Sequence, residues 1–177
     1  MRGLVLVVLF WCSAAAVVAA DDRMERLRNG QALEWIEATG HWDVTFSDRQ
    51  MVMICTTCDG MVEVVLEALP FLSNDRLWHW EADYMAERKR FCSSLVQEGG
   101  RCLGTDNSGF RGRALRGFQS SHDHQGVKTT DVIWYNNSRE YGPELLRTRV
   151  KAEQGHVAPE GTANLIYSAM AQLTNYW

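Results

Sequence analysis

The chain has 177 residues, 46% of them hydrophobic and 23% charged, and its 18 Lys and Arg against 22 Asp and Glu give a formal net charge of −4. An acidic balance argues against nucleic acid as the main partner, because phosphate binding calls for a basic surface. About 150 residues suffice to bury a full hydrophobic core, so a single domain over residues 21–177 is expected, with disulfides as supports for that core.

Residues 1–20 have the form of an export signal. Arg2 precedes an apolar run from Leu4 to Trp11, and small residues follow with Val18 and Ala20 at the positions a signal peptidase reads, so cleavage is expected before Asp21. The run is shorter than the ~20 residues a bilayer-spanning helix needs, and no later segment approaches that length. After cleavage no transmembrane segment is expected, and the compartment is extracytoplasmic, a bacterial periplasm in the first instance. Cys12 leaves with the signal. Cys55, Cys58, Cys92 and Cys102 remain, an even set that reads as two disulfides of undetermined connectivity. Trp35, Trp42, Trp78, Trp80, Trp134 and Trp177 read first as core, with an aromatic ligand platform as the alternative.

Asp21 to Thr39 is expected to be one helix, with acids at its start and Gly40 at its end. At His41 the period changes. Trp42, Val44 and Phe46 alternate with polar residues as a half-buried strand requires, Ser47-Asp48-Arg49 makes a turn, and Gln50 to Cys55 is a second strand, apolar enough to be buried on both faces. Residues 61–69 fit both a helix, through Val62, Val65, Leu66 and Leu69, and a strand, through Val62, Val64 and Leu66. Asp59-Gly60 is a strong hairpin signal and the β-branched valines oppose a helix, so a three-stranded meander is favoured.

A long helix is expected from Ser73 or Asn74 to Gln97, with Leu77, Trp80, Tyr84, Phe91 and Leu95 on one face, Glu87-Arg88-Lys89-Arg90 mostly solvated, and Gly99-Gly100 as its stop. The glycines let the chain reverse, which brings Cys92 within bonding reach of Cys102. Residues 103–112 read as a polar loop. Arg113–Gln119 and Val127–Asn136 read as strands joined by the polar stretch from Ser120 to Gly126. Asn136-Asn137-Ser138 has the form of a glycosylation sequon. Gly142-Pro143 opens an expected helix to Gln154, with Leu145, Leu146, Arg149 and Val150 along one side, and Pro159 starts a last helix carrying Leu165, Ile166, Ala169, Met170 and Leu173. The expected fold is therefore α+β: an antiparallel sheet of about five strands, an N-terminal helix, a long inserted helix and two C-terminal helices.

Three chemistries are open. The pair Cys55-Thr56-Thr57-Cys58, if a helix follows it, resembles the active-site element of thioredoxin-like oxidoreductases, where a helix N-terminus makes the first cysteine a thiolate and the second resolves the mixed disulfide. Ile54 stands where that family carries tryptophan, and Pro70, Pro143 and Pro159 all fall at element ends. The same pair with Gly60 has the shape of a metal knuckle, and His122 and His124 would complete a zinc or copper set. Arg111, Arg113 and Arg116 concentrate positive charge on an acidic chain and would meet a protein carboxylate cluster or a lipid headgroup. No Ser-His-Asp set and no glycine-rich phosphate loop is present, and no cofactor is expected. The function these features favour is an exported, disulfide-stabilised, non-catalytic accessory or binding protein, acting on another exported protein or an anionic envelope component. A thiol-disulfide oxidoreductase and a metal-binding protein are the alternatives.

Overall fold

The structure, a computed structural model, describes residues 22–69, 74–106, 115–138 and 142–174. The export signal over residues 1–20 lies outside them.

The first helical segment is split. Residues 22–28 form α1 and Gln31–Ala38 form α2, where one continuous helix was expected. Gln172, from the C-terminal helix, fills the break. Its amide nitrogen donates to the Arg26 carbonyl at 2.6 Å and its oxygen accepts from the Ala32 amide at 3.0 Å, so one side chain satisfies the end of α1 and the start of α2. A Cβ on Gly30 would land on that amide, which explains glycine at the break.

β1 (Trp42–Phe46), β2 (Gln50–Cys55) and β3 (Val62–Ala68) make the meander, antiparallel throughout. The segment 61–69 thus holds a strand over Val62–Ala68 and no helix, as the Asp59-Gly60 turn and the valines dictate. β2 is not buried on both faces: Met51, Met53 and Cys55 are buried, while Ile54 is 46% exposed. α3 (Asn74–Gln97) follows and ends where the Gly100 amide donates to the Leu95 carbonyl.

The C-terminal half departs most from expectation. The polar loop expected over 103–112 begins instead as strand β4 (Arg101–Asp106), and β5 (Leu115–His124) continues through the segment read as a connecting loop. The turn to β6 (Val127–Ser138) shrinks to Gln125-Gly126, both at positive φ (51° and 77°), as a two-residue hairpin between right-twisted strands requires. The first of the two expected C-terminal helices is a strand, β7 (Gly142–Glu153), which pairs with β3 on one side and β6 on the other. The last helix is α4 (Thr162–Leu173).

The result is one α+β unit with a seven-stranded antiparallel sheet in the order β1-β2-β3-β7-β6-β5-β4, two strands more than expected. α1, α2 and α4 cover one face of its β1–β7 end. Met24, Leu27, Ile36, Met51, Met53, Val62, Val64, Leu66, Leu146, Met170 and Leu173 form a single apolar core there, each nearly inaccessible. At ~1.5–3 kcal/mol per fully buried side chain this cluster is the main source of stability. α3 lies on the opposite face, at the β4–β7 end, where Cys92 is bonded to Cys102 of β4.

Candidate functional site

Side chains alternate across a sheet, so the residues between the core positions all reach the face under α3. Register places them in rows. One row runs Ile54, Glu63, Lys151, Thr129, His122, Cys102, and the next runs Val52, Val65, Arg149, Asp131, Ser120. A third runs Gln50, Glu67, Arg147, Ile133. β7 therefore carries Arg147, Arg149 and Lys151 on this face, and neighbouring strands supply the counter-charges. Arg149 Nε donates to Asp131 Oδ1 at 2.8 Å, Lys151 Nζ to Glu63 Oε1 at 2.7 Å and Arg147 Nη1 to Glu67 Oε2 at 3.3 Å.

α3 roofs this charged floor and leaves a cavity of about 350 Å³ lined by Tyr84, Glu87, Arg88 and Phe91 from the helix and by Ser120, His122, Thr129, Asp131, Ile133 and the three β7 cations from the sheet. The helix is held by polar contacts as well as by its disulfide. Tyr84 Oη and Ser120 Oγ are 3.1 Å apart, and Arg88 Nη2 donates to the Ser121 carbonyl at 3.0 Å. Arg88 Nη1 approaches His122 Nδ1 at 3.5 Å, and the Arg88 guanidinium also lies 5.0 Å from the centre of the Phe91 ring, which meets the His122 ring edge-on. Burial, and then the Arg88 charge, push the His122 pKa below 6.5, against the opposing pull of Asp131 and Asp123; the imidazole is neutral at pH 7.

Cys55 and Cys58 are bonded to each other at the opposite end of the sheet. Strand β3 follows them, so no helix N-terminus faces Cys55, which is 9% exposed on the core side. Its sulfur is 3.9 Å from the Thr57 hydroxyl, which in turn is 2.8 Å from His41 Nδ1. The alternative metal set does not converge. Cys55 belongs to β2 and the core face, His122 and His124 to β5 and the other, and strands ~4.8 Å apart separate β2 from β5 by roughly 19 Å. Among the described residues no three His, Cys, Asp or Glu side chains gather where a metal ion would sit.

Arg111 and Arg113 lie outside the described residues. Arg116 falls on β5 opposite Tyr135, and its side chain is not described. The cations that line the cavity come from β7 and from Arg88. Arg88, expected to be solvated with its neighbours, is 8% exposed. Tyr84 and Phe91 are legible as the inward face of α3, whereas Asp131, Arg147 and Lys151 carry no motif and Arg149 reads as part of a helical side; the signal for the three β7 cations is their alternation with Leu146, Thr148, Val150 and Ala152.

No family model matches the chain, and no curated protein matches it. Among solved structures, the human StarD13 (DLC2) lipid transfer and protein localization domain is similar at 8% identity, over 82% of this chain and 96% of that one, with a TM-score of 0.24. A likeness at that level carries no argument about fold or function.

Proposed function

We propose that the protein is an exported, disulfide-stabilised, non-catalytic binding protein, and that its ligand is an anionic component of the cell envelope taken into the cavity beneath α3. The observation that carries this reading is the charge of the cavity lining. On a chain of net charge −4, four cations line the cavity; Arg147, Arg149 and Lys151 are paired with Glu67, Asp131 and Glu63, and Arg88 has no carboxylate within 4.0 Å among the described residues, which leaves one uncompensated positive charge. A low-dielectric recess with one uncompensated cation attracts an anion and holds it more strongly than an open surface would. Binding is favoured over turnover because the acid–base groups of the lining are engaged: Asp131 with Arg149, Ser120 with Tyr84, His122 with Arg88. Export is supported by the signal pattern of residues 1–20 and by the paired cysteines.

Native mass spectrometry of the mature protein, gently desalted after purification from its host, tests the reading. The expected outcome is a small acidic molecule bound at one per chain and lost in the Arg147→Gln/Arg149→Gln double variant. A protein that carries no such adduct, together with anion-induced amide NMR shifts that map away from α3 and β5–β7, would reject it.

A further inference from the structure

Arg88 differs from every other cation of the cavity. Arg147, Arg149 and Lys151 each have a carboxylate within 3.3 Å. Their side chains are also 33–38% exposed, so water shares their charge. Arg88 is 8% exposed, and no carboxylate lies within 4.0 Å of it among the described residues. Its partners are a carbonyl oxygen, a long contact to a neutral imidazole, and the face of Phe91. A guanidinium has five N–H donors. Two of the nitrogens have partners here, and the buried Nε has none. A charge removed from water without a counter-ion is among the costliest features a fold can retain, and such groups ordinarily occur paired.

We infer that Arg88 is the anchor for the carboxylate of a small amphiphilic organic acid. The inference rests on the cavity being the ligand site. One unneutralised charge calls for one negative charge, and a flat two-oxygen anion matches the planar donor edge of a guanidinium. The remainder of the ligand lies against the apolar lining, with Phe91 and Tyr84 on the helix side and Ile133 on the sheet. The ion pairs of β7 keep the floor nearly neutral, which disfavours a doubly charged phosphate monoester that would need two free cations.

The test is calorimetric titration of the mature, oxidised protein with three probes that share one aromatic body: 2-naphthylacetate, 2-naphthylacetamide and 2-naphthyl phosphate. Saturable binding of the acid is expected, with the amide about 10- to 100-fold weaker, the cost of losing a charge-assisted contact, and the phosphate weaker than the acid. Arg88→Met should lose the same factor for the acid and leave the amide unchanged, whereas Arg88→Lys, which keeps the charge, should recover part of it. The acid–amide comparison uses wild-type protein, so it stands even if a variant misfolds. Equal affinity for acid and amide, tighter binding of the phosphate, undiminished binding of the acid to Arg88→Met, or no binding of the acid at all overturns the carboxylate anchor. The cavity reading fails separately, by the native-mass and NMR outcome above, which presumes an anion but not a carboxylate.

Discussion

The two faces of the sheet are built from the same strands, one residue out of step, and they differ in nearly every physical respect. In β3, Leu66 is wholly buried among the core residues, while its neighbour Glu67 faces the other way and pairs with Arg147 at 3.3 Å. The core face is closed by α1, α2 and α4 through apolar burial. The other face is closed by α3 through polar contacts that include those of Tyr84 and Arg88, and through a disulfide. Stability is therefore concentrated on one side, and the face beneath α3 carries the rows of paired charges.

Adjacent residues put that contrast to the test. Leu66→Ala opens a cavity in the core and should cost about 3–4 kcal/mol in urea unfolding. Glu67→Gln removes half of a partly exposed ion pair and should cost less than about 1 kcal/mol. Comparable losses from the two substitutions would show that the polar face is also a structural core. The next largest effect concerns the roof. Cys92 and Cys102 are 10 residues apart. Replacing both with serine should lower stability by about 2–3 kcal/mol, since opening a short loop restores chain entropy to the unfolded state. Hydrogen exchange should then accelerate in α3 near Arg88 to Leu95 while β2, β3 and β7 keep their protection. Uniform acceleration over all strands would instead make α3 part of the same cooperative unit as the core.

The same contrast explains which parts of the fold were legible in the sequence. Where one face of a strand is core and the other solvent, as in β1 and β3, apolar and polar residues alternate and the meander can be read directly, with Asp59-Gly60 fixing its second turn. Under α3 that alternation loses its meaning, because both the floor and the edge strands carry polar side chains. His122-Asp123-His124 looks like a solvated loop, yet His122 pairs with Thr129 on one side and Cys102 on the other, within the sheet. β7 misleads differently. Leu145, Leu146, Arg149 and Val150 fall at helical spacing between Gly142-Pro143 and Gly155, and only the two-residue recurrence of Arg147, Arg149 and Lys151 marks the strand. Arg88 could not be found at all without the helix–sheet packing, since nothing in Glu87-Arg88-Lys89-Arg90 distinguishes its one buried member from three exposed ones.

The smallest expected effect belongs to His122, which joins roof and floor because it meets α3 through Arg88 and Phe91 and pairs in the sheet with Thr129 of β6 and Cys102 of β4. Burial, Arg88 and Arg149 lower its pKa below 6.5, while Asp131 and Asp123 partly oppose them. In the unfolded chain the imidazole takes up a proton near pH 6.5, and in the folded chain only at lower pH. Between those two points the unfolded state binds the extra proton, so this group's contribution to stability is full above pH 6.5 and is lost as pH falls to the folded-state pKa. Urea unfolding of the wild type and of His122→Asn, followed from about pH 7.5 to pH 5, measures it. The wild type should lose more stability than the variant over that interval. A bound carboxylate at Arg88 would cancel part of the positive field on His122 and raise its pKa, so saturating 2-naphthylacetate should shrink the difference between the two proteins. A difference unmoved by a ligand that does bind would place that ligand away from the Arg88–His122 contact.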